Sequence, residues 1–125
     1  GAMGTMLYAR GVFINRCFDE LNLSAPSMVA EIHGDYIKAG AEIIETNTFG
    51  ATSPRLAGFG LADKVGVINR AGVRLAKQAA EGKAGVYVAG AMGPLGLALD
   101  PQKPESLAEA RQCYRWPSAN RPTRW

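Results

Sequence analysis

A helical stretch followed almost at once by a short β-branched run is the feature that most constrains the fold. Between Pro26 and Ile37 the apolar residues recur every three or four positions, and Gly40 is a natural helix stop. The run "AEIIETNTF" comes next and contains two adjacent isoleucines, which favour a strand. Such a short connection indicates that helices and strands alternate around a parallel sheet.

The same order recurs further along the chain. A second helix is predicted from Leu61 to Glu81, with an apolar stripe on one side. A second strand is predicted from Val86 to Ala89, before a glycine-rich turn and another helix that begins in "PESLAEARQCY". We expect the Ser24 hydroxyl to cap the first helix. The predicted fold class is therefore α/β, with parallel strands joined by right-handed crossovers.

Composition and charge argue against several classes of function. The chain has 125 residues, enough for one domain, and no apolar run approaches the ~20 residues of a membrane span. The net charge of +3 comes from Arg115, Arg121 and Arg124, since the other basic and acidic residues balance at 11 each. Cys17 and Cys113 have no metal-binding spacing. We expect a cytoplasmic protein that binds neither nucleic acid nor a membrane.

The end of the chain departs from this pattern. Residues 112–125 contain both tryptophans and two of the seven prolines, without a helical stripe or strand alternation. Trp116 and Pro117 are expected to end the last helix. We expect residues 1–111 to form one domain and residues 112–125 to be an aberrant tail, either translated in a shifted frame or disordered.

Polar or glycine-rich residues follow both predicted strands, and a third such stretch opens the chain. In barrels and open α/β sheets, binding sites form at the carboxyl ends of the strands. Thr46, Asn47 and Thr48 can donate and accept hydrogen bonds to a small ligand. The stretches "GAMGT" and "VAGAMGPLG" can approach a ligand closely or expose backbone N–H groups to an anion. Each stretch has a structural alternative, either a tight turn or side chains that bond loop backbone.

Three other residues have a structural explanation that competes with a functional one. Glu45 follows an apolar run, so we expect it to be buried in an ion pair or to act at the site. His33 lies on the apolar stripe of the first helix and is expected to be a hydrogen-bonded core histidine. Cys17 has no paired histidine or other base nearby and is expected to be a small buried residue.

Taken together, "GAMGTMLYARG", "NLSAPSMVAEIHGDYIKAGAEIIETNTFGA" and "VAGAMGPLG" resemble the homocysteine-binding domain of the homocysteine S-methyltransferases in order and spacing. The segment "MLYARGVFINRCFDELNLS" looks most like the bacterial bifunctional homocysteine S-methyltransferase/methylenetetrahydrofolate reductase. The resemblance covers about residues 1–111. It implies a (β/α)₈ TIM barrel that transfers a methyl group to the homocysteine thiolate, forming methionine, with a zinc ion held by three cysteine thiolates.

The resemblance also implies which residues bind the amino-acid end of homocysteine. They lie in three loops: Gly1, Ala2, Gly4 and Thr5; Thr46, Asn47, Thr48 and Phe49; and Ala91, Met92 and Gly93. No catalytic residue and no metal ligand carries over, because the family's Asn-Cys and Gly-Gly-Cys-Cys motifs are absent from this sequence. The aspartate that opens the family's first loop would precede Gly1.

A full barrel needs about 250 residues, so the resemblance implies an N-terminal fragment with about three βα units of an incomplete barrel. We expect such a chain to be inactive alone and to bind no stoichiometric zinc. One alternative is a non-enzymatic gene remnant, or a half-barrel that needs a complementary piece. Another is a different βα enzyme that binds a phosphorylated ligand at "GAMGT". The methyl donor stays open.

Overall fold

Six α-helices, one 3₁₀ helix and two short strands make up residues 2–115, the part of the chain that the computed structural model describes. In chain order they are α1 (Met3–Ala9), α2 (Leu21–Ser24), α3 (Pro26–Lys38), β1 (Ile43–Glu45), α4 (Ser53–Ala57), the 3₁₀ helix (Ala62–Lys64), α5 (Val65–Ala80), β2 (Tyr87–Ala89) and α6 (Pro104–Tyr114). The predicted alternation of helices and strands is therefore present from α3 to α6.

The two strands pair in parallel, with Ile43 opposite Tyr87 and Glu45 opposite Ala89. Helix α5 forms the crossover between them and packs against both α3 and β2. The Thr46 N–H donates to the Ala89 carbonyl oxygen at 2.9 Å, which extends the pairing one residue beyond β1. The prediction of an α/β fold with parallel strands is confirmed.

The helices provide most of the buried apolar residues. One cluster joins α1, α2, α3 and α5 through Leu7, Leu21, Val29, Ile32 and Leu75. A second cluster lies between α4, α5 and the loops beside them and consists of Cys17, Ala51, Leu56 and Ile68. These two clusters fix the helices behind the sheet, so the strand ends are held from one side.

The sheet buries only one of its two faces. Ile44 is 4% exposed, whereas Ile43 on the opposite face is 64% exposed. Tyr87, its partner in the register, is 70% exposed. Neighbouring side chains of a strand point to opposite faces. The uncovered face of the sheet is therefore formed by Ile43, Glu45 and Tyr87, with the apolar pair Ile43 and Tyr87 where the strands begin. No helix among residues 2–115 is both long and apolar enough to cross a membrane.

Two local predictions about helix starts are wrong. Ser24 does not cap α3, because it ends the one-turn helix α2 and its hydroxyl donates to Glu20 Oε2 at 2.8 Å. The tight turn expected at "GAMGT" is not formed, because α1 begins at Met3 and includes Gly4 and Thr5. A Cβ on Gly4 would lie 3.2 Å from the Phe18 ring, so glycine there allows close packing of α1 rather than a turn.

Helix α6 crosses the predicted domain boundary, since it runs without a break from Pro104 through Tyr114. Trp116 and Pro117 lie outside the described residues. The proposed aberrant segment therefore begins within a regular helix, and the boundary after residue 111 stays a prediction.

The core assignment predicts unequal costs for two neighbouring substitutions on α5. Ile68 is fully buried, whereas Val67 is 43% exposed. We expect Ile68→Ala to lower the free energy of unfolding by about 2–5 kcal/mol, because it leaves a cavity in the second cluster. Val67→Ala, the matched control, should change it by less than about 1 kcal/mol. Urea denaturation measures both, and equal losses would contradict the assigned orientation of α5.

Candidate functional site

One open cavity of about 860 Å³ lies where the start of α1 faces the ends of β1 and β2. Six of the eleven residues predicted to bind homocysteine line it: Ala2, Gly4, Thr46, Asn47, Phe49 and Ala91. They come from three separate segments of the chain, so folding brings the three predicted loops to one place. Their role in binding a ligand stays a prediction.

The other five predicted residues do not line this cavity. Thr48 and Gly93 are buried beside it, whereas Thr5 and Met92 are exposed. Gly1 lies outside the described residues. Thr48 and Gly93 therefore support the loops from behind the cavity, whereas Thr5 and Met92 face solvent.

The Thr46 and Thr48 hydroxyls form a closed hydrogen-bonded circuit with the Ala91 backbone. The Ala91 N–H donates to Thr46 Oγ1 at 2.9 Å, and Thr48 Oγ1 donates to the Ala91 carbonyl oxygen at 2.7 Å. The two hydroxyl oxygens are 2.7 Å apart. Because the single Thr48 hydroxyl hydrogen is used on the carbonyl, Thr46 must be the donor between the threonines. Neither hydroxyl keeps a hydrogen for a ligand.

The Asn47 carboxamide is buried and hydrogen-bonded within the protein. Its Nδ2 donates to the Phe18 carbonyl oxygen at 2.8 Å and to Asn22 Oδ1 at 3.1 Å. Asn22 in turn donates from Nδ2 to the carbonyl oxygens of Asn47, at 2.7 Å, and Ile68, at 3.3 Å. Both amide groups thus use both of their hydrogens within the chain.

We call Asn22, Thr46, Asn47, Thr48 and the Ala91 backbone the strand-tip network. All four side chains are at most 7% exposed, and every side-chain hydrogen that could be donated is already used. The strand-tip network can therefore offer a ligand acceptors, but no side-chain donor. This matches the structural alternative for "ETNTF" more closely than direct donation to a carboxylate.

Gly93 allows the third loop to lie flat against the second. The Gly93 N–H donates to the Phe49 carbonyl oxygen at 3.0 Å, and the Gly93 carbonyl oxygen accepts from the Tyr114 hydroxyl at 2.8 Å. A Cβ on Gly93 would lie 2.5 Å from the Phe49 carbonyl oxygen and 2.8 Å from the Phe49 ring. Only glycine fits this contact, and α6 is tied to the site through Tyr114.

Asp19 is a cavity residue that sequence reasoning missed. Its Oδ1 accepts from the Gly50 N–H at 2.9 Å, which fixes the turn that follows the strand tip. Burial raises the pKa of Asp19, while that N–H and the nearby Arg55 oppose the rise. Arg16 and Arg55 also line the cavity. Asn22 was missed as well, because its partners at Asn47 and Ile68 are distant in sequence and no local pattern signals them.

Three expectations for single residues have different outcomes. Cys17 is a small buried residue as predicted, and burial raises the pKa of its thiol. His33 is buried as predicted, but its Nε2 has no hydrogen-bond partner among the described residues, so the expected partner is missing. The expectation that Glu45 is buried in an ion pair is wrong, because the alternation of side chains along β1 places Glu45 on the uncovered face. Glu45 and His33 both line the cavity.

The described residues do not fit a metal centre. Among residues 2–115 no group of three or more histidine, cysteine, aspartate or glutamate side chains could hold a metal ion. Cys17 is held in the apolar second cluster, where its raised pKa disfavours the thiolate that zinc requires. Neither cysteine can be assigned as a zinc ligand.

Known sequences and structures are similar to this chain. A family model described as "Homocysteine S-methyltransferase" matches residues 1–118. Methionine synthase from Mycobacterium tuberculosis is 34% identical in an alignment of 104 residues that covers 75% of this chain and 9% of that protein. Methionine synthase from Mycobacterium leprae is also 34% identical over the same length and shares of the two proteins.

Crystal structures of the homocysteine methyltransferase MmuM from Escherichia coli share the fold. The oxidized form has a TM-score of 0.67 and 32% identity, covering 77% of this chain and 36% of MmuM. The metallated form has a TM-score of 0.66 and 30% identity, covering 90% of this chain and 40% of MmuM. The chain therefore spans well under half the length of the relatives that it matches.

The close contact at Gly93 predicts that two neighbouring glycines differ in tolerance. Gly93→Ala should lower the free energy of unfolding by about 1–3 kcal/mol, because the new Cβ forces the Phe49 backbone away. Gly90→Ala is the matched control, since a Cβ there would meet no atom within 4 Å. Urea denaturation compares the two variants. A destabilisation of Gly90→Ala as large as that of Gly93→Ala would contradict this packing.

His33 is the only histidine in the chain, so its contribution to pH dependence can be isolated. Burial lowers the pKa of His33 below its ordinary value. The folded state thus favours neutral imidazole, and its stabilising contribution is present above the ordinary pKa of ~6.5 and lost as pH falls through the lowered value. We expect the free energy of unfolding to fall as pH drops below about 6.5. His33→Gln should show a smaller fall; an identical fall would contradict the assignment.

Proposed function

The chain belongs to the homocysteine S-methyltransferase family, and from this premise we propose that it binds the amino-acid end of homocysteine. The observation that carries the proposal is that six of the residues that the family pattern assigns to substrate line one cavity. The ligand's thiol would face the open side of the cavity, away from the residues that hold its amino-acid end. The methyl donor is not assigned.

The polar groups of the cavity suggest how the ligand is held. At the start of α1 the Met6 N–H donates to the Ala2 carbonyl oxygen. The N–H groups of Met3 and Gly4 precede it, have no acceptor within the helix and belong to residues that line the cavity. We propose that these backbone donors, rather than the Thr46 and Thr48 hydroxyls, meet the substrate carboxylate. The acceptors of the strand tip and the Glu45 carboxylate then face the substrate ammonium group.

The proposed reaction of the intact family member is methyl transfer to the homocysteine sulfur, forming methionine. Zinc would stabilise the thiolate in such an enzyme, and one solved relative is described as a metallated form. Since residues 2–115 do not fit a zinc site, the proposed part of this chain is to bind and orient the amino acid. We propose that the chain has no methyltransferase activity by itself.

We also propose that this fold is the N-terminal part of a (β/α)₈ barrel, with about three βα units. The uncovered sheet face at Ile43 and Tyr87 supports this, because the inward face of a barrel strand is normally covered by the other strands. The same face favours the alternative of a half-barrel that needs a complementary piece. We retain a cytoplasmic location and a tail over residues 112–125 as proposals, although α6 and the family match both extend past residue 111.

Isothermal titration calorimetry with a series of ligands tests the proposed function. Homocysteine and methionine should bind with similar affinity, since the chain contacts the end that they share. The analogue without the carboxylate, 3-aminopropane-1-thiol, and the analogue without the ammonium group, 4-mercaptobutanoate, should each bind at least about tenfold more weakly, because each leaves polar groups of the cavity unpaired. Glucose 6-phosphate, a probe for the phosphate-binding alternative, should not bind.

Two results would contradict the proposal. Binding of glucose 6-phosphate in place of the amino acids would favour a phosphate site at the start of α1. Equal binding of homocysteine and both truncated analogues would show that the amino-acid end is not what the cavity recognises.

A further inference from the structure

We infer that Asn22 is a positioning residue for the substrate site: it sets the backbone of the β1 tip without touching the ligand. Asn22 is 1% exposed and does not line the cavity, yet two of its three side-chain hydrogen bonds reach Asn47, which does. The inference rests on the proposed function, because the strand tip matters for binding only if the cavity takes the amino acid.

The orientation of the Asn22 carboxamide is fixed by its partners. The Asn47 and Ile68 carbonyl oxygens can only accept hydrogen bonds, so the Asn22 nitrogen must face both of them. Its Oδ1 then accepts from the Asn47 side chain. Asn22 thereby joins both the backbone and the side chain of Asn47 to helix α5.

This anchoring extends through the strand tip to the third loop. Asn47 lies between Thr46 and Thr48, whose backbones also bond each other, from the Thr48 N–H to the Thr46 carbonyl oxygen at 2.9 Å. A shift of the Asn47 peptide would therefore move both hydroxyls that bond Ala91. The path runs from α5 through Asn22 and the two threonines to Ala91, which lines the cavity.

Gly72 on α5 gives independent support for this close arrangement. A Cβ on Gly72 would lie 2.6 Å from Thr48 Cγ2 and 2.7 Å from Asn22 Nδ2. The missing side chain is thus what lets Asn22 and Thr48 approach the helix together. A glycine inside a helix costs about 1 kcal/mol relative to alanine, so close packing at the strand tip explains its place there.

Asn22→Asp tests the inference, since it keeps the shape of the side chain and removes both donors. We expect the amide hydrogen of Ala91 to exchange at least about tenfold faster, and homocysteine to bind at least about tenfold more weakly, because the Asn47 carbonyl oxygen loses its partner. Hydrogen exchange followed by NMR and isothermal titration calorimetry measure the two effects. Asn22→Ser, which keeps one donor, should give smaller changes in both.

Asn69→Asp is the matched control. Asn69 also donates to two carbonyl oxygens, those of Ala51 and Val65, both at 2.8 Å, but it lies outside the strand-tip network. Asn69→Asp should lower the stability of the fold. It should leave the homocysteine affinity nearly unchanged, and also the rate of Ala91 amide exchange when that rate is compared with those of other core amides. Equal effects of the two aspartate variants, or no effect of a folded Asn22→Asp or Asn22→Ser chain, would overturn the inference.

The two measurements, Ala91 amide exchange and homocysteine affinity, test this inference separately from the proposed function. If the unsubstituted chain binds no homocysteine, the proposed function fails, and the Ala91 exchange still decides whether Asn22 holds the tip. If homocysteine binds and Asn22→Asp changes neither measurement, the positioning role fails alone.

Discussion

The hydrogen-bonded circuit between Ala91 and the two threonines at the β1 tip is the interaction on which the rest of the site depends. Each strand contributes only three residues to the sheet, so the backbone hydrogen bonds between the strands stabilise the strand ends only weakly. Both backbone groups of Ala91 bond the threonine hydroxyls, which extends the contact between β1 and β2 beyond the sheet. The second and third loops therefore meet at a fixed distance and form one wall of the cavity.

Around the cavity, the side chains that stabilise the loops are different from the groups that can bind a ligand. Buried side chains such as Asn22, Asn47 and Thr48 use their donors on one another and on backbone carbonyls. Backbone N–H groups at the start of α1 stay free of helical partners. In the function that we propose, loop backbone recognises the carboxylate, while the polar side chains keep the loops in register. No group in the described residues is placed to act as a zinc site.

Much of the architecture follows from the sequence, because local periodicity encodes it. The apolar spacing of Val29 and Ile32 predicts α3, and the same spacing with Ile68 and Leu75 predicts α5. The predicted parallel arrangement of the strands also places their polar carboxyl ends at the same edge of the sheet. The roles of individual side chains are less accessible. Asn22 meets partners 25 and 46 positions away, and Glu45 is exposed because nothing in the described chain covers its face of the sheet.

Mapping the homocysteine contact directly tests whether this chain carries the amino-acid side of the site. Backbone amide shifts are followed by ¹H–¹⁵N NMR during a titration with homocysteine. The largest changes are predicted at Met3 and Gly4, with smaller ones at Thr46 and Ala91, and none around Leu7 or Ile32 in the core. Shifts confined to surfaces away from the cavity, or no shifts at saturating homocysteine, would contradict the proposed site.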